Sequence, residues 1–117
     1  MSVADEFDRK RIIQESVPGK QVTLAHIIAS PVQEIYERLG IEERGAIGIS
    51  TLTPCETAII AADIATKTSG VEIGFLDRFT GSLVIAGDVA SVEEAMVAIN
   101  DTLEKLLGFT PAKITRT

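Results

Sequence analysis

The chain reads AIGISTLTPCETAIIAADIATKTSGVEIGFLDRFTGSLVIAGDVASVEEAMVAINDTLEKLLG from residue 46 to residue 108, and this stretch decides its fold. Three short runs are rich in β-branched residues, which is typical of β-strands, and two longer runs repeat apolar residues every three or four positions, which is typical of helices. The stretch therefore predicts strand, helix, strand, tight turn, strand and helix, with few residues left for loops.

The first helix of this stretch carries a possible start signal. The preceding strand is expected to end at Thr51 or Leu52. Thr53 can then act as the N-cap, with Pro54 in the first turn and Glu56 completing a capping box. The helix should run to near Gly70 and present small side chains on one face, which lets it lie close to a sheet: Ala58, Ala61, Ala62 and Ala65.

The second half of the stretch predicts a hairpin followed by a longer helix. Strands are expected at residues 71–79 and 82–88, joined by a turn at Thr80 and Gly81. Ser91 and Glu94 suggest a second capping box. The apolar residues of this helix share one face and lead to a stop at Gly108: Val92, Ala95, Met96, Ile99, Leu103 and Leu106.

Another strand is expected ahead of this stretch, at residues 21–29. Strict alternation places two sets of side chains on opposite faces: Val22, Leu24, His26 and Ile28 on one, and Thr23, Ala25 and Ile27 on the other. Both sets contain apolar residues. This pattern predicts that the strand is buried on both sides or forms part of an interface.

A short helix and a final strand complete the expected elements. Ser30, Pro31 and Gln33 repeat the helix-start pattern, and the helix should end at Gly40. Its apolar stripe comprises Val32, Ile35, Tyr36 and Leu39. Residues 109–117 include Pro111, which predicts an edge strand because proline cannot donate to a central ladder. Glycines within the strands predict tight packing against helices or neighbouring subunits: Gly48, Gly74 and Gly87.

Composition excludes several classes of function. Lys and Arg number 11 against 17 Asp and Glu, giving a net charge of −6, so neither nucleic acid nor an anionic membrane is an expected partner. Only 4% of residues are aromatic, which leaves few stacking platforms. The single cysteine rules out an internal disulfide. No apolar run approaches membrane-spanning length, and the acidic start does not resemble a signal peptide.

No arrangement of residues predicts catalysis, a metal site or a cofactor. Cys55 is expected in the first turn of its helix, where the dipole can lower a thiol pKa, but a lone cysteine is more often a small apolar residue. His26 is the only histidine and is interpreted as a structural, hydrogen-bonded side chain. No glycine-rich phosphate-binding loop is present. The chain is therefore not expected to be an enzyme.

The order of these elements resembles a known family. The segments AIGISTLTP and AADIATKTSGVEIGFLDRFTGSLVIAGDVASVEEA are similar to the shell domain of bacterial microcompartments. The preceding VPGKQVTLAHIIASP resembles the circularly permuted subgroup found in propanediol-, ethanolamine- and choline-utilisation compartments, in which the strand that ordinarily comes last comes first.

The resemblance implies a fold and a role. The fold class is α/β (α+β), with a mostly antiparallel sheet, packed helices and an N-terminal extension strand; residues 1–20 would form the extension and residues 21–117 the permuted shell domain. It implies a homo-hexamer that joins other shell proteins around an aldehyde-processing compartment in the bacterial cytoplasm, with encapsulated enzymes as a further candidate partner. A small regulatory ligand-binding domain is the alternative.

The resemblance also assigns three sets of residues. Lys67, in AADIATK, matches a lysine at the hexamer edge, while its spacing from Asp63 also fits an ordinary surface ion pair. The hairpin equivalent to the central pore of ordinary shell domains comprises Arg78, Phe79, Thr80 and Gly81. A barrel strand around the six-fold axis would comprise Ile12, Ile13, Gln14, Glu15, Ser16 and Val17.

Ordinary shell domains often carry a Pro-Arg-Pro-like motif at their edge, after the strand that resembles residues 21–29. Here the corresponding residues are Ala29, Ser30 and Pro31, with no arginine. Edge contacts of the ordinary type therefore do not transfer directly to this chain.

Overall fold

The computed structural model describes residues 19–117, along which strands and helices follow one another with short connections. In chain order the elements are β1 (Gln21–Ala29), α1 (Gln33–Leu39), β2 (Ala46–Thr53), α2 (Thr57–Thr68), β3 (Glu72–Asp77), β4 (Ser82–Gly87), α3 (Val89–Leu107) and β5 (Ile114–Arg116). The α/β class and the order of elements expected from the sequence are confirmed.

The five strands described within residues 19–117 form one sheet in the order β3-β4-β2-β1-β5. Three neighbouring pairs are antiparallel, and only the pair of β1 with β5 is parallel. The sheet is therefore mostly antiparallel, as predicted. The C-terminal strand lies at an edge, also as predicted, but it covers only Ile114–Arg116.

Helices α2 and α3 pack together on one face of the sheet and enclose the main core. The apolar side of α3 supplies the largest buried set: Val92, Ala95, Met96, Ile99 and Leu103. Gly48 on β2 explains the close approach of this helix. A Cβ atom there would lie 2.9 Å from Val92 Cγ1 and 3.0 Å from Met96 Sδ. The tight packing predicted for this glycine is confirmed.

One residue expected on the buried side of α3 lies outside it. The side chain of Leu106 is 76% exposed, although its spacing places it in line with Leu103. Leu106 lies in the last turn of α3, which ends at Gly108 with a φ of 73°. The expected stop at Gly108 is confirmed, while the burial of Leu106 is not.

The strict alternation predicted for β1 is wrong at its start. The register against β2 shifts between Val22 and Leu24, so Thr23 is an extra residue in a β-bulge. Val22 therefore joins Ala25 and Ile27 on the helical side, where all three are buried. Leu24, His26 and Ile28 remain on the opposite side.

The capping box predicted at Thr53 is also wrong. Strand β2 continues through Thr53, and residues 54–56 form a turn in which the Thr57 amide donates to the carbonyl of Pro54. Glu56 is the N-cap of α2, and its side chain makes no capping hydrogen bond. A proline that fits the first turn of a helix fits the preceding turn equally well.

The start of α3 lies earlier than Ser91 and Glu94 suggest. Asp88 is the N-cap, and its carboxylate accepts a hydrogen bond of 2.8 Å from the Ser91 amide. Strand β4 ends at Gly87 because the next residue already caps the helix. The backbone amide of Ser91, followed by its hydroxyl, lowers the pKa of Asp88 below its ordinary value.

The start of α1 also differs from the prediction. Val32 is its N-cap rather than Ser30, and no side chain caps it. Ser30 has a φ of 53°, so the chain makes a sharp turn there before the helix. The predicted stop at Gly40 is confirmed, with a φ of 73°.

Candidate assembly surfaces

The second face of the sheet, called the open face below, is covered only in part within the described residues. One row of paired residues crosses all five strands on it: Phe75, Val84, Ile49, His26 and Thr115. Helix α1 covers the neighbouring row, where Tyr36 packs against Ile47 and Ala86. Ile49 and Val84 of the first row are partly buried against this cluster. The open face therefore presents a largely apolar strip beside a single short helix.

A groove runs between this row and α1. Its volume is about 430 Å³. Ile28, Ile49 and Val84 line it from the sheet, and Val32, Ile35 and Leu39 line it from the helix. Because Val32 is 65% exposed and Ile35 is 38% exposed, the helix turns part of its apolar stripe away from its own core. Sequence reasoning placed these residues in one stripe but did not identify the groove.

His26 joins β1 to the C-terminal segment. Its Nδ1 lies 2.6 Å from the hydroxyl of Thr115, and its Nε2 lies 2.9 Å from the hydroxyl of Thr117. The interpretation as a structural, hydrogen-bonded histidine is confirmed, with partners on a different segment. Both ring nitrogens therefore link β1 to the C-terminal segment through threonine hydroxyls.

The hairpin between β3 and β4 contains a side-chain to backbone hydrogen bond and an exposed aromatic ring. The Asp77 carboxylate accepts a hydrogen bond of 2.9 Å from the Phe79 amide, and this bond is the main reason that the pKa of Asp77 lies below its ordinary value. Phe79 is 77% exposed, with the Arg78 guanidinium 4.8 Å from its ring centre. A Cβ atom at Gly81 would lie 2.3 Å from the Leu52 carbonyl, so only glycine fits this turn.

Lys67 lies in the last turn of α2 and faces solvent. Its Nζ is 2.9 Å from the Asp63 carboxylate, and the two side chains are 75% and 57% exposed. The surface ion pair expected from their spacing is present. Such exposed pairs contribute little to folding stability, so the pair does not by itself explain a lysine at this position.

The remaining candidate residues form no chemical site within residues 19–117. Cys55 lies in the turn before α2, not in the first turn of the helix as expected, and its Sγ is 3.7 Å from Glu56 Oε1. No cluster of three potential metal ligands occurs in this part of the chain. None of its helices is both long and apolar enough to cross a bilayer. The predicted barrel strand, residues 12–17, lies outside the described residues.

Known proteins share both the sequence and the fold. The BMC domain family matches residues 46–115. The microcompartment shell protein PduU of Salmonella typhimurium is 56% identical over 108 residues, which cover 92% of this chain and 93% of PduU. The shell protein EutS of the same organism is 56% identical over 110 residues, covering 94% and 99%.

A solved structure agrees with these relatives. The shell protein CutR of Streptococcus intermedius is 55% identical over 106 residues, covering 91% of each chain. A structure described as a CutR flat hexamer superimposes with a TM-score of 0.81 at 53% identity, covering 92% of this chain and 99% of that one. These relatives are named as shell proteins and give no support to the regulatory-domain alternative. β1 and α1 precede the segment that matches the family, which is the permuted order expected from the sequence. On the family match and these identities, the chain belongs to the BMC domain family of bacterial microcompartment shell proteins.

Proposed function

We propose that this chain is a structural subunit that forms cyclic hexamers, which tile with other shell proteins around an aldehyde-processing compartment. The observation that supports this most strongly is the agreement of the fold with the CutR flat hexamer over 92% of the chain. Because the two chains are 53% identical, we expect the surfaces that determine assembly in CutR to be similar in this chain.

The chain performs no chemistry in this proposal. The relatives PduU, EutS and CutR are likewise named for their place in a shell.

Lys67 is the proposed contact between hexamers. Its long side chain is exposed on α2, where the stem can lie along a neighbouring hexamer while the ammonium donates to carbonyl groups there. The ion pair with Asp63 holds the side chain without burying it.

We place two further groups of residues at the centre of the hexamer, the barrel strand and the pore-equivalent hairpin. Residues 12–17 form a barrel strand about the six-fold axis in this proposal, and residues 1–20 are an extension of the shell domain at 21–117. The hairpin of residues 78–81 is equivalent in sequence to the pore hairpin of ordinary shell domains. Its hydrogen-bonded turn and exposed Phe79 suit a contact surface better than an open channel.

Native mass and electron microscopy of the purified protein test the proposal together. We expect a discrete species of six 12.5 kDa chains that forms sheets, tubes or shell fragments in negative stain. A stable monomer, dimer or trimer that forms no extended assembly at any concentration would contradict the hexameric shell role.

A further inference from the structure

Lys20 joins the start of β1 to the end of α3. Its ammonium donates to the carbonyl of Leu107 at 3.2 Å, across 87 positions of sequence. The carbonyl of Lys20 accepts a hydrogen bond of 2.9 Å from the Thr110 amide, and the Thr110 carbonyl accepts one of 2.9 Å from the Val22 amide. Both the side chain and the backbone of Lys20 are therefore held by the end of α3 and the residues that follow it.

The carbonyl of Leu107 is one that the helix itself cannot satisfy. The last four carbonyls of an α-helix have no amide partner within it. The amide of Gly108 donates to the Glu104 carbonyl, but Leu107 is the last residue of α3 and its carbonyl is met by the ammonium of Lys20. A cation is also favoured at this end of a helix by the helix dipole. Lys20 is therefore a cationic cap that reaches α3 from a different element.

This contact lies directly beside the proposed extension. Only Pro18 and Gly19 separate Lys20 from Val17, the last residue of the proposed barrel strand. Because a chain spans at most about 3.6 Å per residue, the Cα atom of Val17 must lie within about 11 Å of that of Lys20. Glycine tolerates many backbone conformations, so Gly19 does not itself restrict the path of the chain. The nearest side-chain restraint that the structure describes is that of Lys20.

We propose that Lys20 positions residues 12–17 for closure of the hexamer centre, by holding the start of β1 against the end of α3. The inference rests on the proposed hexamer and its barrel strand. In a cyclic hexamer every subunit has the same conformation, so an extension that is displaced in one copy is displaced in all six. Lys20 acts as a positioning residue, through the backbone that it holds.

Three substitutions separate positioning from simple stabilisation of α3. Lys20→Met keeps a long side chain but removes its charge and its donors, and Lys20 is exposed, so the core stays intact. Lys20→Arg keeps a cation that can donate to the same carbonyl. Lys105→Met is the matched control. Lys105 is exposed in the last turn of α3, so its loss removes the same charge from the same helix end, but it lies on the helix rather than on the strand that leads to the extension.

The measurement is the rate at which a glutamate-specific protease cuts after Glu15 in the intact hexamer, followed by mass spectrometry of the product that begins at Ser16. Native mass and melting temperature are measured in parallel. We expect Lys20→Met to be cut several-fold faster than the parent, with the six-chain mass and the melting temperature of the parent. Lys20→Arg and Lys105→Met should be cut at the rate of the parent.

Several results would overturn the inference and leave the hexamer intact. Cutting of Lys20→Met at the parent rate would do so whatever its melting temperature, because Lys20 would then only stabilise the end of α3. Equally fast cutting of Lys105→Met would mean that lost charge at the helix end, and not the contact of Lys20, exposes Glu15. A hexameric parent that is cut as fast as a free peptide of residues 8–20 would reject the barrel strand together with its positioning.

Two results concern the native mass. Loss of the six-chain mass in Lys20→Met alone would also overturn the inference, because Lys20 would then hold the ring rather than the extension. A parent that is not hexameric would instead contradict the proposed function, and the inference with it.

Discussion

At the residue scale, we expect substitution of Lys67 to impair assembly without affecting folding. Losing one exposed ion pair changes folding stability by less than about 1 kcal/mol. In a sheet of hexamers, however, each edge contact recurs at every boundary, so a small loss per contact multiplies. We expect Lys67→Ala to give soluble hexamers with the mass and melting temperature of the parent that no longer form sheets in negative stain.

Asp63→Ala is the matched control for this substitution. It removes the same ion pair but leaves the lysine in place. Sheets should therefore form from Asp63→Ala and not from Lys67→Ala. Normal sheets from both variants would mean that Lys67 is only the surface partner of Asp63 and that the chain tiles through other residues.

A second residue-scale prediction concerns His26. His26→Ala removes both hydrogen bonds to the C-terminal segment, and each such bond contributes about 0.5–1.5 kcal/mol. We expect faster amide exchange at Thr117, whose backbone N–H donates to the Ile27 carbonyl at 2.9 Å. Thr117→Ala removes only one of the two side-chain bonds and should have a smaller effect. Unchanged exchange in His26→Ala would show that backbone pairing alone holds this segment.

At the element scale, the stabilisation of α3 by its N-cap Asp88 depends on pH. Because its pKa is lowered, the carboxylate stabilises the fold at pH values above the ordinary aspartate pKa, about 3.9, and this contribution is lost as pH falls through the lowered pKa. Asp88→Ala should therefore lower the melting temperature at neutral pH. The difference from the parent should narrow below about pH 4. A difference that stays constant down to pH 2 would contradict the capping role.

Helix α2 packs into the main core through its own small side chains. Ala62 is 4% exposed and packs in the main core. Ala62→Leu should overpack this contact and cost roughly 1–3 kcal/mol of unfolding free energy, measured by chemical denaturation. Ile60→Leu, on the exposed side of the same helix, is the control and should change little. Equal stability of the two variants would mean that α2 can shift outward without cost.

The elements themselves could be predicted because their periodicity and their glycine stops are local signals. Gly40 and Gly108 end their helices as expected, and the buried side of α3 follows its helical spacing through Leu103. The helix starts could not be predicted as reliably, because the residue that caps a helix depends on the backbone conformation of the preceding residues. Asp88 caps α3 although Ser91 fits the local pattern equally well.

The side on which a residue lies can depend on contacts between distant parts of the chain, which a local sequence pattern does not predict. The bulge at Thr23 reverses the side on which Val22 lies, and only the pairing of β1 with β2 reveals it. Asn100 gives another example: its side-chain amide donates to the Ala112 carbonyl at 2.8 Å and accepts from the Ala112 amide at 3.3 Å, which holds the C-terminal segment against α3. An asparagine within an amphipathic helix gave no signal of that role.

At the scale of the whole molecule, the five strands that the structure describes lie within residues 21–116. Deleting residues 1–18 removes none of them, so the shortened chain should still fold and form hexamers. If residues 12–17 form the central barrel, the deletion should leave an opening along the six-fold axis in a crystal structure or an electron microscopy map. A centre that is equally closed after the deletion would reject the barrel assignment.

The parallel pairing of β1 with β5 also determines where the two ends of the described chain leave the sheet. The amide of Thr110 donates to the Lys20 carbonyl at the start of β1, whereas the Ala29 amide, at its end, donates to the Thr117 carbonyl. A strand of nine residues separates these points by about 30 Å. Epitope tags placed before Gly19 and after Thr117 would therefore project from opposite ends of the subunit. Protease treatment of intact compartments would then report, from the tag that is cleaved, which end faces the cytosol.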